Sequence, residues 1–375
     1  MASRPILFVN GKFYGGAMNG VRRVSDRLVR QLDRLASGSS GGRSAAAQWD
    51  IRLLLPARAT EVPDFQALRT VPQAIGHTQF WEQAVLPFAA RSGTLVSFAN
   101  LAPVLHRRKV TMIHDAQFLI SPESYPRKLR LGYRLLIPLG GRSSTSVLTV
   151  SDFARDTLGT FGLSRPERTH VLFNGADHIL EAPADLGILS KAGVESGAFC
   201  VVFGSTWRYK NVGVVLEAFR DPRLHAIPLL VLGKTADELR GAGMPVPPNA
   251  RFLVGFSDGA LRALLENALA LLCPSRTEGF GLPPVEAMLC GCPVVAAPAG
   301  AIPEICRDAV SYAGLDDPAG WAEQILSLAP SQPRRAEKIA AGRLRAAGYT
   351  WDAAGERLVD LLRPVVEGPR LTGRG

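Results

Sequence analysis

The sequence predicts an α/β protein of two domains, and three observations lead to this class. The chain has 375 residues, which is more than one ordinary hydrophobic core accommodates. Short apolar runs of strand length alternate with segments of helical period, as they do where helices cover a parallel sheet. The order of strand, glycine-containing turn and helix occurs at the start of each half. Each half therefore begins like a nucleotide-binding α/β unit.

The boundary between the domains is predicted near residue 180, because the proline- and glycine-containing stretch that follows is typical of a linker. The first domain then covers residues 1–180 and the second covers residues 181–349. A final helix is predicted within residues 350–375.

The first domain begins with a buried strand at 6–10, a glycine-rich turn at 11–20 and a helix at 21–35 that has one apolar stripe. A low-complexity loop follows at 37–47, and a helix at 80–90 is limited or kinked by its proline. The remaining strands are predicted at 50–55, 94–98, 110–115, 146–151 and 169–178.

The second domain repeats the pattern with a strand at 198–205, a turn at 206–211 and a helix at 212–220. A later strand leads through a glycine loop into a helix that Gly291 and Pro293 end. The other strands are predicted at 228–233, 250–256, 268–273 and 309–314.

Composition limits the class of protein. Hydrophobic residues make up 47% of the chain, which indicates a globular protein rather than a disordered one. No apolar run approaches the roughly 18 residues that span a bilayer, and the N-terminus lacks the apolar segment of a signal peptide. The five cysteines are an odd count without a secretion signal, so we expect a cytoplasmic protein.

Positive charge is concentrated in the first half. Residues 1–180 carry 23 Lys and Arg against 12 Asp and Glu, a net charge of +11, whereas the rest of the chain has a net charge of −1. This asymmetry indicates an acidic partner: an anionic membrane surface, a phosphorylated acceptor or nucleic acid. No RNP-like, zinc-finger or helix-turn-helix pattern is present, so we do not expect nucleic acid to be the partner.

The stretch TEGFGLPPVEA, residues 277–287, carries the strongest functional pattern. It follows a predicted buried strand, and its glycines let the backbone approach a ligand closely. Loop N–H groups before a helix can bind an anion, whereas Pro283 and Pro284 donate nothing. The N–H groups predicted to bind phosphate are those of Gly279, Phe280, Gly281 and Leu282.

Two glutamates bracket this loop, Glu278 and Glu286. Carboxylates accept hydrogen bonds, which sugar hydroxyls supply. Phosphate-binding donors between two hydroxyl acceptors indicate a site for a sugar nucleotide. The alternatives are that Glu286 only complements the helix dipole, worth roughly 0.3–1 kcal/mol, and that Glu278 is a solvated loop charge.

With its continuation GCPVVAAPAGAIPEICRDA at 291–309, this stretch resembles the signature of retaining glycosyltransferases of family four. The resemblance implies the GT-B fold, in which two Rossmann-like domains face each other across a cleft and a C-terminal helix crosses back to the first. It also implies that Glu278 contacts the donor hexose and that Glu286 contacts the nucleotide ribose.

The turn after the first strand of the second domain holds two cations, Arg208 and Lys210. Cations here can hold a diphosphate and stabilise its charge as it leaves, and the resemblance implies that role. Tyr209 separates the two, so Arg208 matches the family less well than Lys210, and both are alternatively solvated loop charges. The resemblance also places Gly204 at the donor and the turn after Val254 beside the base.

In the first domain, the resemblance implies that the glycine-rich turn approaches the donor phosphate or the acceptor, with Gly20 as the best match and Gly16 second. The alternative is that these glycines only form a turn. His114 follows a predicted strand in TMIHDAQF, and its counterpart in the family hydrogen-bonds the donor sugar. Alternatively, His114 is a satisfied core residue.

Residues 124–142 form a basic, partly amphipathic segment in which arginines and a lysine alternate with leucines. Such a segment can lie on an anionic membrane surface, so one hypothesis is that it seats a polyprenyl-linked or glycan acceptor at the inner face of the membrane. An ordinary helix with a solvated face is an equal alternative.

No Asp-x-Asp triplet is present, so a metal that bridges the donor diphosphate has no obvious ligands and no cofactor is expected. The resemblance implies transfer with retention at the anomeric carbon. Similarity around WEQ and TMIHD makes GDP-mannose the preferred donor, with dTDP-rhamnose and UDP-hexoses as alternatives. A nicotinamide dehydrogenase would need a GxGxxG pattern that neither half supplies, and a non-catalytic sugar-nucleotide binder stays open.

Overall fold

The computed structural model describes residues 4–16, 18–38, 44–74, 76 and 78–368. The chain divides into two compact units, each an α/β structure. The first unit comprises Met1–Phe118, Arg127–Asn174 and Trp351–Gly375, and the second comprises Leu119–Pro126 and Gly175–Thr350.

The first unit is built on a parallel sheet whose described strands run in the order β3-β2-β1-β4-β5-β6-β7. The middle strands are buried along their whole length, which is expected where both faces of a parallel sheet are covered. Its strands are β1 (Ile6–Asn10), β2 (Asp50–Leu55), β3 (Arg69–Pro72), β4 (Thr94–Ser97), β5 (Lys109–Met112), β6 (Ser146–Thr149) and β7 (Thr169–Val171).

The second unit has its own parallel sheet, with the order β10-β9-β8-β11-β12-β13. Its core includes the fully buried side chains of Trp321, Phe199 and Phe219. Its strands are β8 (Cys200–Phe203), β9 (Leu229–Leu232), β10 (Ala250–Leu253), β11 (Ala270–Cys273), β12 (Val294–Ala296) and β13 (Ser311–Tyr312).

Helices connect the strands in both units. In chain order the α-helices are α1 (Gly20–Ala36), α2 (Leu86–Ala89), α3 (Gln117–Ile120), α4 (Arg127–Ser143), α5 (Asp152–Thr160), α6 (Gly187–Ala192), α7 (Val212–Ala218), α8 (Ala236–Gly241), α9 (Asp258–Asn267), α10 (Leu282–Leu289), α11 (Ile302–Cys306), α12 (Pro318–Leu326), α13 (Pro333–Ala346) and α14 (Trp351–Glu367). Shorter helical turns that matter for the site are Lys12–Gly15, the π-helical turn Trp81–Val85, Asp177–Leu180 and Arg208–Lys210.

The last helix, α14, belongs to the first unit and packs against α1. The two helices approach closely at Gly355, where a Cβ atom would lie 2.7 Å from Cβ of Gln31. An ion pair of 3.1 Å joins Arg34 of α1 to Asp352 of α14. The helix was predicted within residues 350–375, and residues 369–375 lie outside the described part of the chain.

Several observed elements differ from the predicted ones. The strand predicted at 169–178 is β7 alone, because the chain leaves the first sheet there: Ala176 N–H donates to the Tyr349 carbonyl of the second unit at 2.9 Å. The division after Asn174 thus comes before the predicted boundary at 180. The strand predicted at 110–115 ends at Met112, and the loop predicted at 37–47 is described only in part, since residues 39–43 lie outside the described chain.

Candidate active site

The glycine loop, residues 274–281, joins β11 to α10 at the carboxyl edge of the second unit's sheet. The strand order reverses between β8 and β11, which pair directly, and open α/β sheets bind ligands at such a position. Gly281 has a φ of +89°, and a Cβ atom there would lie 2.6 Å from Cδ1 of Ile302. Both the backbone conformation and the available space therefore require glycine.

The backbone of this loop is fixed by the segment that follows β12. The Ala301 N–H donates to the carbonyl of Glu278 at 3.0 Å. Gly300 lies so close that a Cβ atom on it would be 2.5 Å from the Glu278 nitrogen. The backbone of Glu278 is thus held in place by Gly300 and Ala301.

Glu278 and Lys210 are brought together although they are distant in sequence. Nζ of Lys210 donates to Oε1 of Glu278 at 2.7 Å, and Oγ of Ser275 donates to the same oxygen at 2.7 Å. The Glu278 side chain is only 13% exposed, whereas that of Lys210 is 33% exposed. A mostly buried carboxylate thus holds a partly exposed ammonium group at the edge of the sheet, and Glu278 is not a solvated loop charge.

Lys210 lies in the turn Arg208–Lys210, which follows β8. The Arg276 N–H donates to the Tyr209 carbonyl at 2.7 Å, so this turn is tied to the glycine loop. Arg208 is exposed and lies outside the Lys210–Glu278 pair. The ring of Trp207 lies 5.5 Å from Tyr209 and is partly exposed beside the same turn, a feature that sequence reasoning missed although Trp207 directly precedes the basic pair.

Glu286 lies in the middle of α10 and is buried. Its Oε1 is 3.0 Å from Nε2 of His178, whose side chain is fully buried in the turn Asp177–Leu180. The helix-dipole explanation is weak for a residue beyond the first helical turn. The partner His178 was missed, because nothing in the sequence places residue 178 beside residue 286.

The other predicted donor residues of the second unit lie in different settings. The Phe280 ring is buried against Tyr349, with centroids 5.4 Å apart, so only its backbone can reach a ligand. Leu282 is half-buried as the first residue of α10. Packing explains why position 204 is glycine, since a Cβ atom there would lie 2.8 Å from Cγ1 of Val231. Val254 is exposed at the end of the edge strand β10, three strands away from β11.

In the first unit, His114 follows β5 and is buried. Its ring Nε2 lies 2.7 Å from the Phe98 carbonyl oxygen, and its backbone N–H donates to Oδ1 of Asn100 at 2.8 Å. Burial lowers the pKa of His114 to about 4, and the contact with the Phe98 carbonyl partly opposes this shift. The ring is therefore neutral near pH 7, with Nε2 as donor and Nδ1 as acceptor.

Gly16 and Gly20 flank the start of α1. Gly20 is the first residue of the helix, and nothing lies within 4 Å of a Cβ atom placed on it, so packing does not require glycine there. Asn19 caps the helix by accepting from the Arg22 N–H at 2.9 Å. The Arg22 guanidinium donates to the Gly16 carbonyl, which closes the glycine-rich turn onto the helix.

The basic segment predicted at 124–142 is mostly α4. Its leucines Leu131, Leu135 and Leu139, spaced by one helical turn, are 71%, 61% and 45% exposed. Arg127, Lys128 and Arg134 of the same helix are also exposed. An apolar stripe beside exposed cations thus faces solvent on this helix.

Sequence comparison covers the part of the chain that holds the glycine loop and Lys210. A family model described as glycosyl transferases group 1 matches residues 198–330. D-inositol 3-phosphate glycosyltransferase 1 of Catenulispora acidiphila is 31% identical over 316 residues, which are 78% of this chain and 73% of that protein. The chain belongs to the group 1 glycosyltransferases.

This group 1 glycosyltransferase is also similar to O-antigen chain mannosyltransferase RfbU of Salmonella typhimurium, with 25% identity over 60% of this chain and 62% of that protein. Among solved structures, HepE of Anabaena in complex with UDP and glucose matches with a TM-score of 0.69 and 18% identity, covering 96% of this chain and 99% of that one. This likeness confirms the predicted GT-B fold.

Within its described residues, the glycosyltransferase has no group of three or more His, Cys, Asp or Glu side chains that could hold a metal ion. Among the same residues, each helix is too short or too polar to cross a membrane. Its five cysteines are free thiols in buried positions, and burial raises the pKa of each above its ordinary value.

Proposed function

We propose that this glycosyltransferase moves a hexose from a sugar nucleotide to a glycan or polyprenyl-linked acceptor in bacterial polysaccharide synthesis, with GDP-mannose as the donor. The Lys210–Glu278 pair at the glycine loop carries the proposal. It joins a cation suited to phosphate with a carboxylate suited to sugar hydroxyls at a distance of 2.7 Å. Its position at the reversal of strand order is where a sheet of this kind binds ligands.

The roles of the donor residues follow from their chemistry. Lys210 and Arg208 stabilise the diphosphate as it takes on negative charge, and the N–H groups of the glycine loop share that task. Glu278 accepts hydrogen bonds from hexose hydroxyls. Glu286, whose Oε1 lies 3.0 Å from Nε2 of His178, accepts hydrogen bonds from the ribose with its other oxygen.

Retention at the anomeric carbon is the proposed outcome. The bond from the anomeric carbon to the phosphate oxygen breaks, and its electron pair goes to the nucleoside diphosphate. The acceptor hydroxyl oxygen bonds to the same face of that carbon, and its proton passes to the leaving phosphate oxygen. In this scheme Glu278 orients the hexose and is not a nucleophile. The neutral His114 ring accepts a hydrogen bond from a sugar hydroxyl at its Nδ1.

Mannose as the transferred sugar is supported by the relatives named O-antigen chain mannosyltransferases, from Salmonella typhimurium and Escherichia coli. A UDP-hexose is the second candidate, because the structurally similar HepE is described with UDP-glucose. A dTDP-rhamnose donor stays open as well. The exposed Val254, near the predicted position of the base, does not distinguish these nucleotides.

Isothermal titration calorimetry with GDP, UDP and dTDP tests the donor. We expect GDP to bind, and binding of UDP without GDP would replace GDP-mannose by a UDP-hexose. Turnover of the selected sugar nucleotide by Glu278→Ala and Lys210→Ala then separates an enzyme from a non-catalytic binder. Loss of turnover in both variants supports an enzyme, whereas unchanged turnover removes the proposed site. The controls are Lys191→Ala and Glu195→Ala, which change exposed residues of the same unit.

The same proposal places the enzyme in the cytoplasm at the inner face of the membrane, with α4 on anionic lipid. The leucine stripe supplies apolar area, and each nearby cation is worth about 1 kcal/mol at an anionic surface. The excess of positive charge in residues 1–180 agrees with this orientation toward lipid.

Flotation with liposomes that contain anionic lipid tests this contact. Reversing the charge of Arg127, Lys128 and Arg130 should weaken binding, and Leu131→Ser with Leu135→Ser should weaken it further. The matched control reverses three cations outside the segment. These are Arg91, Lys191 and Arg240. Binding that both α4 variants leave unchanged would remove the membrane contact from the proposal.

A further inference from the structure

The first unit contains a lysine–glutamate pair that the proposed donor site does not use. Nζ of Lys12 donates to Oε2 of Glu82 at 2.7 Å. Lys12 lies in the turn that follows β1, and Glu82 lies in the π-helical turn Trp81–Val85. The Glu82 side chain is 3% exposed and the Lys12 side chain is 21% exposed. A buried carboxylate here holds a lysine whose side chain is partly exposed to solvent.

This pair lies where the strand order of the first sheet reverses. The reversal occurs between β1 and β4, which pair directly, and Asn10 and Ser97 are the last residues of these two strands. The Asn10 amide donates to Oε1 of Glu82 at 2.8 Å and to Oγ of Ser97 at 3.1 Å. Both oxygens of Glu82 are therefore engaged, and its contacts fix the Lys12 ammonium at the ligand-binding edge of the sheet.

The second unit has the same construction. Lys210 follows the central strand β8 and pairs at 2.7 Å with the mostly buried Glu278, again at the reversal of strand order. Each sheet therefore presents one lysine, oriented by a glutamate, at the position where sheets of this kind bind ligands. The similarity arises from the topology of each unit taken by itself.

The charges around the two lysines differ, and this difference indicates the kind of ligand. In the second unit the exposed Arg208 adds a cation to the pair, which suits a diphosphate. Beside Lys12, Glu82 balances the lysine charge, and the other two members of the network, Asn10 and Ser97, are neutral. A charge-balanced ammonium group with three donors suits a neutral hydroxyl oxygen better than a phosphate.

Further polar groups lie within electrostatic range of the pair. Burial, together with the negative charges of Asp115 and Glu82, raises the pKa of the Tyr133 phenol. Asp115 directly follows His114 in the segment after β5, which is the strand next to β4. Polar side chains thus lie at the carboxyl ends of the adjacent strands β1, β4 and β5, in the residues Asn10, Ser97 and Asp115.

We propose that Lys12 contacts a hydroxyl group of the acceptor, that the acceptor presents a neutral, hydroxyl-rich unit such as a sugar at this edge, and that Glu82 is a positioning residue for Lys12. This inference rests on the proposed transferase function and adds the class of acceptor group and the residues that recognise it. Nothing in it depends on which nucleotide the donor carries.

The test uses the full-length enzyme with the sugar nucleotide that calorimetry selects and with p-nitrophenyl α-glycosides of mannose, rhamnose, glucose and galactose as acceptor probes. Lys12→Met removes the ammonium group and keeps most of the apolar stem. The double variant Lys12→Met with Glu82→Gln avoids leaving a buried carboxylate without its cation. Lys12→Arg keeps a cation, and Lys191→Met is the control at an exposed position.

In both variants without the ammonium group we expect KM for the best glycoside to rise about tenfold, the equivalent of one hydrogen bond to a charged group. Hydrolysis of the sugar nucleotide to free hexose, and the Kd for the nucleoside diphosphate, should match those of Lys191→Met. Lys12→Arg should recover part of the loss. A merely structural role would lower hydrolysis and transfer together, along with the melting temperature.

Three results contradict the inference. The first is a double variant that folds and transfers to the glycoside as well as the control does. The second is a parallel loss of hydrolysis and transfer in a folded variant. The third is a wild-type enzyme that hydrolyses the donor yet neither binds nor glycosylates any of the four probes. Failure of the proposed function is distinct from all three, because the wild-type enzyme would then bind no sugar nucleotide.

Discussion

Replacing His114 by glutamine should make the first unit less sensitive to acid. The ring is buried, and Nε2 donates to the Phe98 carbonyl at 2.7 Å. Burial lowers the pKa of His114 to about 4, whereas an unfolded histidine titrates near 6.5. A glutamine amide can donate to the same carbonyl and does not take up a proton in this range.

The direction of the effect follows from proton uptake. Below about pH 6.5 residue 114 is protonated in the unfolded chain, whereas in the folded chain it becomes protonated only near pH 4. Acid therefore favours unfolding. The contribution is fully present above pH 6.5 and is lost as the pH falls toward 4. At about 1.4 kcal/mol per pH unit, the free energy of unfolding should fall by about 2 kcal/mol between pH 7 and pH 5 because of this one side chain.

The measurement is urea unfolding at pH 7 and pH 5, in which hydrogen-exchange mass spectrometry of peptides from β4 and β5 detects the unfolding. The difference between the two pH values should be smaller in His114→Gln than in the wild type by about 2 kcal/mol, whatever the variant's stability at pH 7. His225→Gln changes an exposed histidine of the second unit and should behave like the wild type. Equal pH dependence in His114→Gln and the wild type would refute the assignment of a neutral, buried ring.

Three further predictions concern the donor side. Gly281→Ala forces an alanine to adopt a φ of +89° beside Ile302. The free energy of unfolding, measured by thermal unfolding, should therefore fall by about 1–3 kcal/mol, and donor turnover should be lost. An unchanged melting temperature would contradict this prediction. His178→Phe removes the imidazole nitrogen that lies 3.0 Å from the buried Glu286 carboxylate. Calorimetry should then show about tenfold weaker binding of the nucleoside diphosphate. An unaltered Kd would exclude a positioning role for His178. Treatment with EDTA should leave transfer unchanged, and a loss that Mg²⁺ restores would show that the enzyme uses a metal.

Features of the fold that depend on residues close together in the sequence were predicted better than those that depend on distant residues. The glycine loop was predictable because its strand, glycines and helix are contiguous and obey local rules. The strand β3, Arg69–Pro72, was missed because it is an exposed edge strand without an apolar run. The strand β12, Val294–Ala296, was missed because three residues are too few to show a period.

Contacts between distant residues are the part that the sequence did not supply. Lys210 and Glu278 were each predicted as ligand-binding residues, but their pairing with each other was not. Of the pairs His178–Glu286 and Lys12–Glu82, only Glu286 was predicted as a ligand-binding residue, and neither pairing was predicted, since each pair joins elements from different parts of the chain. Buried charges need partners, yet composition and period do not identify which partner the fold provides.

The geometry of the Lys210–Glu278 pair indicates how a donor enters without breaking it. Both described donors to the carboxylate, Lys210 and Ser275, reach the same oxygen, Oε1, so Oε2 is the atom that a hexose hydroxyl would meet. The Lys210 side chain is one-third exposed, so a phosphate oxygen can approach its ammonium group from solvent. The carboxylate keeps its compensating cation throughout, which avoids the cost of leaving a buried charge unpaired. In the proposed function the Lys210–Glu278 pair is therefore a preformed frame for diphosphate on one side and sugar on the other. The Lys12–Glu82 pair differs, because both oxygens of Glu82 are already engaged and only the lysine is left to contact a ligand.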